Sequence, residues 1–414
     1  MEPASSTSSV APDTGFRHLG RGTGQPRQVT RLTIVVVMRD EHLLGVRAAV
    51  VDGQLVPGDV RVAEGRVVGV GLPPAAAGLA VPAFVDLQLN GYAGVDFNSD
   101  PAGRWDTARV ALARDGVGRF VANVITASPA DQERAVRVAA RVVAGQRARE
   151  LPGVSAARLV GAHLEGPFLS RERAGTHPVA HLRDPDASLL DALLQAGPVV
   201  GLTIAPELPG APGLIRYAGT RGLLVALGHS AATEAEADRG FDAGASTVTH
   251  LFNGMSPLTG RNAGLAGVAL ARDDVTVQLI CDRVHLSEMT IRLALRAAAG
   301  RWVLVTDAIA ATGRPDGRYR LGGVEVTVRA GTAARADGTL AGSVLTLPQA
   351  VRNVVGCGAE PVDSVNAATV RPAALLGLGD YPRLRPGDPA DLVVLDEELE
   401  VAARWTGDGR LWPR

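Results

Sequence analysis

Eight short runs rich in Val, Ile and Leu, each followed by a helix-like stretch, occupy the middle of this 414-residue chain. They are Phe84–Leu89, Phe120–Ile125, Leu159–Leu164, Val199–Ile204, Leu223–Leu227, Thr247–Leu251, Val275–Cys281 and Trp302–Val305. Near-continuous hydrophobicity is what parallel strands need when helices cover both faces of their sheet. The intervening stretches are amphipathic and open on N-cap residues, such as Thr233 before EAEADRGFDAG and Ser287 before EMTIRLALRAAAG. Eight β units alternating with helices predict an α/β fold, a (β/α)8 TIM barrel, over residues 81–377.

The flanks read differently. Between Gly45 and Pro73, alternating apolar runs are separated by Asp52-Gly53, Pro57-Gly58 and Glu64-Gly65, which are hairpin signals. The stretch PGDPADLVVLDEEL (Pro386–Leu399) has the same character. A small β-sandwich domain built from residues 43–80 and 378–414 is therefore expected. Residues 1–42 are rich in Ser, Thr, Pro and Gly and are expected to be a disordered or non-native extension, with Met38 as an alternative start. The apolar run Leu32–Met38 is only seven residues long and is followed by no A-x-A-like site, too short for a span and a poor secretory signal.

Composition narrows the partners. A net charge of −1 offers no electrostatic basis for binding nucleic acid or a membrane surface. The two cysteines, Cys281 and Cys357, form no CxxC pair and suit a reducing cytoplasm, which is the expected location. No lysine occurs, so all 42 basic residues are arginine and no chemistry that needs a lysine is open to the chain.

Polar groups gather where the apolar runs end: Gln88 and Asn90, Glu165, Glu207, His229, His250, Asp282 with His285, and Asp307. In a TIM barrel these C-terminal strand ends share one mouth, where active sites sit. One carboxylate and two imidazoles, Glu165, His229 and His250, make a known catalytic zinc shell with a position left for water. Asp307 would then be the general base beside it. Bland readings compete. An isolated strand-end histidine is more often a satisfied core or surface residue. Glu165 could cap a helix, and Asp307 could pair with an arginine.

At these positions the sequence resembles the N-acetylglucosamine-6-phosphate deacetylases of the amidohydrolase superfamily. The resemblance is carried by VPAFVDLQLNGYAGVDFN (Val81–Asn98), HLEGPFL (His163–Leu169), AGTHP (Ala174–Pro178), APE (Ala205–Glu207), GHS (Gly228–Ser230), THLFNGMSPLTGRNAGLAG (Thr249–Gly267), VTDA (Val305–Ala308) and LAGS (Leu340–Ser343). It implies one divalent metal ion, Zn2+ first among Fe2+, Mn2+ and Co2+, on Glu165, His229 and His250, with Asp307 as acid/base. Gln88 and Asn90 stand where many superfamily members hold the histidines of a second metal, and neutral amides are poor ligands for it. The resemblance further implies that His177 helps polarise the acetyl carbonyl and that Thr176, Asn253, Gly254, His285, Ala341, Gly342 and Ser343 contact substrate. Arg261 matches the arginine that binds the substrate phosphate, often across a dimer interface, so a homodimer is expected. Two departures stand out: Pro82-Ala83 in place of Pro-Gly, and Arg283 in place of the glycine of Asp-Gly-x-His.

The expected activity is hydrolysis of N-acetyl-D-glucosamine 6-phosphate to D-glucosamine 6-phosphate and acetate, in amino-sugar catabolism and cell-wall recycling. The alternatives are a deacetylase of N-acetylgalactosamine 6-phosphate or another N-acyl substrate, and a non-catalytic scaffold on the same fold.

Overall fold

The computed structural model describes residues 41–148, 156–406 and 411–413. The expectations for residues 1–40, including the extension and the Met38 start, lie outside the described residues.

Eight parallel strands form one sheet in sequential order. They are β1 (Phe84–Leu89), β2 (Val117–Ile125), β3 (Arg158–Glu165), β4 (Val199–Ile204), β5 (Leu224–Leu227), β6 (Thr247–Val248), β7 (Thr276–Leu279) and β8 (Trp302–Leu304). Each coincides with one of the apolar runs of the sequence. The cylinder closes between the first strand and the segment after the last. Asp307 N–H donates to Gln88 O at 3.0 Å, and Asn90 N–H donates to Ala308 O at 2.8 Å. Deeper inside, the Thr306 hydroxyl donates to Asp86 Oδ2 at 2.6 Å, joining the same two segments through side chains. Side chains of Phe84, Phe120, Leu164, Leu202, Leu227, Val277 and Trp302 are buried in a single apolar core.

The flanking segments pair as a six-stranded sheet in the order Leu411–Pro413, Val401–Trp405, Leu392–Leu395, Leu79–Pro82, Ala48–Val51, Gln54–Pro57. Its central seam joins the two ends of the chain, with Leu79–Pro82 antiparallel to Leu392–Leu395. A three-stranded sheet, Glu41–Leu43, Asp59–Ala63 and Arg66–Leu72, packs against it through Val46, Ala49, Val60, Val62, Val67, Leu392 and Trp405. This is the expected small β-sandwich. Its first strand opens at Glu41, two residues ahead of the boundary drawn at 43.

One element has no counterpart in the sequence reading. After β8, strands Gly317–Leu321, Val324–Arg329 and Thr332–Ala334 form an antiparallel insertion. Leu321, Val326, Val328 and Ala333 pack on Ile125 and Ile309 at the barrel mouth. Gly322 N–H donates to Asp96 Oδ2 at 2.9 Å and ties the hairpin turn to the loop after β1. Among the described residues, no helix is long and apolar enough to cross a membrane.

Candidate active site

Glu165 ends β3, His229 and His250 follow β5 and β6, and Asp307 follows β8. The barrel brings all four to one mouth. Three of them are held in left-handed backbone, with φ of 46° at His229, 30° at His250 and 52° at Asp307. That region is rare for residues with a side chain, and such strain clusters at functional sites.

The three metal-type donors converge. His250 Nε2 lies 2.9 Å and His229 Nε2 3.1 Å from Glu165 Oε1, and the two Nε2 atoms are 3.1 Å apart. Ligand atoms on a tetrahedral zinc are about 3.3 Å apart, given bonds of roughly 2.0–2.1 Å. Hydrogen bonding strengthens the fit. His229 Nδ1 lies 2.8 Å from the carbonyl oxygen of Arg173, so it must carry the proton. In the neutral ring, Nε2 is then a bare lone pair facing a carboxylate oxygen. A cation between them removes that repulsion, and the fixed Nδ1 is the usual partner of a metal-bound histidine. His163, two residues before Glu165, stays outside the cluster. Its Nε2 is 2.7 Å from Thr203 Oγ1, and burial lowers its pKa to about 4, so it is a neutral core histidine.

Amides surround the two carboxylates. Gln88 Nε2 donates to Glu165 Oε1 at 3.2 Å, and Asn123 Nδ2 donates to Glu165 Oε2 at 2.5 Å. Asn90 Nδ2 donates to Asp307 Oδ1 at 2.6 Å. Burial, with the negative charge of Glu165 close by, pushes the Asp307 carboxyl well above its ordinary range. A cation bound by Glu165, His229 and His250 would act in the opposite sense and favour the ionised form of Asp307.

His177 lies on the loop after β3, its ring edge-on to His229 with centroids 4.4 Å apart. Thr126 N–H donates to His177 Nδ1 at 3.3 Å, so in the neutral ring Nε2 carries the proton. Burial, helped by the neighbouring His229, lowers the His177 pKa to about 3 and keeps the ring neutral. Its Nε2–H is thus a fixed donor, 3.9 Å from Glu165 Oε2.

Asn90, Glu165, His177, His229, His250 and Asp307 line a cavity of about 290 Å³. Thr176, Asn253, Gly254, His285 and Gly342 line it too, together with Leu321, Thr339 and Leu340 from the inserted hairpin and the loop that follows. The Thr176 hydroxyl is buried without a hydrogen-bond partner. His285 is aimed by Asp282, whose Oδ2 lies 2.7 Å from Nδ1. Glu207 accepts from Ser230 Oγ at 2.7 Å and from Ala231 N–H at 2.6 Å, pinning the loop that carries His229.

Three expected contacts lie off the cavity wall. Ala341 is buried in the core of the hairpin. Ser343 turns away, its Oγ donating to Thr306 O at 2.6 Å. Arg261 is exposed on the turn closed by Thr259 N–H donating to Asn262 O at 2.8 Å. Arg283 takes φ 65°, which explains why a glycine suits this position. It does not line the cavity, and a side chain at Gly356 would meet its guanidinium at 2.9 Å. It therefore sits at the C-terminal end of helix Leu347–Gly356, where a cation is favourable.

Gly254 has φ 61°, and a Cβ there would lie 2.8 Å from His229 Nδ1. Gly254→Ala should therefore displace His229 and lower bound metal per chain, measured after dialysis against sub-stoichiometric zinc. Full occupancy in that variant would show that the loop can yield.

The amidohydrolase family model matches residues 79–410. The chain is 35% identical to the N-acetylgalactosamine-6-phosphate deacetylase of Escherichia coli O157:H7, with 89% of this chain and 97% of the relative covered. It is 37% identical to the N-acetylglucosamine-6-phosphate deacetylase of Bos taurus, over 81% of this chain and 83% of the relative. Among solved structures, it is similar to a mutant N-acetyl-D-glucosamine-6-phosphate deacetylase from Mycobacterium smegmatis, determined in complex with N-acetyl-D-glucosamine-6-phosphate. There the TM-score is 0.81 at 38% identity, with 89% of this chain and 98% of that one covered. The N-acetylglucosamine-6-phosphate deacetylase of Thermotoga maritima gives a TM-score of 0.79 at 32% identity, covering 89% and 99%.

Proposed function

Because the chain belongs to the amidohydrolase family, we propose that it is a metal-dependent deacetylase hydrolysing N-acetyl-D-glucosamine 6-phosphate to D-glucosamine 6-phosphate and acetate. The observation that carries this reading is the convergence of Glu165, His229 and His250 at one barrel mouth, with Asp307 on the same cavity wall. Relatives matched over most of their length, each named for an N-acetylhexosamine 6-phosphate, supply the substrate class.

Glu165, His229 and His250 would hold one divalent ion. Zn2+ is the ion we favour for this N/O set, with Fe2+, Mn2+ and Co2+ as substitutes. When bound, it polarises the acetyl carbonyl and lowers the pKa of a water to about 7. Asp307 would take a proton from the attacking water as its oxygen bonds to the acetyl carbon, and would deliver that proton to the amide nitrogen as the C–N bond breaks, releasing the amine and acetate. The His177 Nε2–H hydrogen-bonds the acetyl oxygen, where negative charge develops. Thr176, Asn253, Gly254, His285 and Gly342 shape the sugar pocket, and the unpartnered Thr176 hydroxyl is free to bond the ligand. Ala341 and Ser343 support that wall from behind, through the hairpin core and the Thr306 carbonyl.

Among the described residues, no arginine lines the cavity. A phosphate needs a cation, and a guanidinium fork suits it. Exposed Arg261 fits as the contribution of a second copy, in a cytoplasmic homodimer serving amino-sugar catabolism and cell-wall recycling. Arg261→Ala should raise KM for the phosphorylated sugar roughly 10- to 100-fold, the worth of hydrogen bonds to a charged group. It should leave weak turnover of the unphosphorylated sugar nearly unchanged. Equal effects on both substrates would remove the phosphate role.

The Escherichia coli relative favours a second reading, in which the C4 epimer is the better substrate. Acetate release from a panel of N-acetylhexosamine 6-phosphates, with and without chelator, separates the two. Release from none of them would overturn both.

A further inference from the structure

Asn123 touches the machinery at two points and lies inside the apolar run Phe120–Ile125. It sits within β2 and is fully buried. Its Nδ2 donates to Glu165 Oε2 at 2.5 Å and to Asn90 Oδ1 at 3.0 Å. Asn90 passes the link on, its own Nδ2 donating to Asp307 Oδ1 at 2.6 Å. Ionised carboxylates only accept, so each NH2 must face a carboxylate and the orientation of both amides follows. Both Asn123 amide hydrogens are thereby committed to the site. Its Oδ1 is left buried without a partner. An apolar side chain of the same shape would leave no such orphan, so the two donated bonds are the use of this residue.

We propose that Asn123 is a positioning residue that ties the metal-ligand carboxylate of Glu165 to the acid/base carboxylate of Asp307 through Asn90. With Oε2 held by Asn123, Glu165 keeps Oε1 turned to His229 and His250. With Oδ1 held by Asn90, Asp307 keeps Oδ2 as the acceptor for a proton. The inference rests on the roles given above to Glu165 and Asp307, and the experiment separates its failure from theirs.

The test uses the full-length, zinc-loaded protein and Asn123→Leu. The Zn2+ dissociation constant, measured by chelator competition, should rise about 10- to 100-fold, as for other residues that orient metal ligands. At saturating zinc, kcat should fall about 10- to 100-fold with KM within about threefold. In an Asp307→Asn background, adding Asn123→Leu should lower the residual turnover less than about twofold, because both act on one group. Thermal melting checks the fold. Should the leucine variant not fold, Asn123→Asp has the same shape, loses the NH2 and carries the same readouts. Zinc affinity and kcat both within about twofold of the parent would overturn the proposal, and so would multiplicative effects in the double variant. High turnover in Asp307→Asn alone would overturn the acid/base role and the Asp307 half of the tie. The zinc affinity of Asn123→Leu would still decide the Glu165 half.

Discussion

Asp307→Asn should lower kcat by roughly 10²- to 10⁴-fold with KM within a few-fold, the range expected when a positioned general acid/base is lost. The substitution is isosteric, so shape at this buried position is preserved. Asn90 Nδ2, now 2.6 Å from Oδ1, can still donate to the amide oxygen of the new side chain. What goes is the ability to take a proton from water and return it to the leaving nitrogen. Metal content should stay near one per chain, because Glu165, His229 and His250 are untouched. The check is steady-state kinetics alongside metal analysis. A variant that keeps more than about a tenth of the parent kcat would remove Asp307 from the chemistry.

Glu165→Gln should weaken zinc binding roughly 10²- to 10⁴-fold. That range follows if one of three protein ligands carries about a third of a binding energy of roughly 10–16 kcal/mol. The lost charge also matters to the neighbours. His229 Nε2 and His250 Nε2 lie 3.1 Å apart, and Glu165 Oε1 is the anion they share. Without it, the pair must hold a divalent ion with no compensating charge. Competition against a chelator gives the constant directly. The melting temperature offers a second readout, since a ligand that binds only the folded state stabilises by an amount that grows with its affinity. Zinc should raise the melting temperature of the parent clearly and that of the variant little. An equal rise in both would argue that the carboxylate is not a ligand.

The barrel was legible because each of its strands is buried on both faces and so appears as an unbroken apolar run. All eight runs are strands of one sheet. The proposed ligand residues come together for a related reason: polar groups at strand ends have one shared destination in this fold. The inserted hairpin Gly317–Ala334 was not found, although Leu321-Gly322-Gly323-Val324 is a two-residue turn signal between alternating runs. Only one face of it is buried, and it falls after the last expected strand. Asn123 escaped because one amide in an apolar run carries no periodic mark; only the register that sets Asn123 beside His163 and Ile125 beside Glu165 shows what it meets. In the sequence Gln88 and Asn90 stand out only as poor metal ligands; in the structure they are donors to carboxylates. In the sequence, Arg283 shows only as a departure from the glycine of Asp-Gly-x-His, with nothing to say where its side chain goes. Its left-handed backbone and its proximity to Gly356 direct it to a helix end.

The seam between Leu79–Pro82 and Leu392–Leu395 has a consequence for the order in which the molecule can be assembled. Its partners are separated by more than 300 residues of chain, and closing so long a loop unaided is entropically slow. The barrel between them shortens that search, because its first strand begins at Phe84, directly after the seam strand. During synthesis, the N-terminal half of the sandwich must therefore wait, its edge uncovered, until Leu392–Leu395 has left the ribosome. The seam is a late lock. A nascent chain stalled before residue 392 would carry an unpaired strand edge, the kind of surface that invites pairing with other chains.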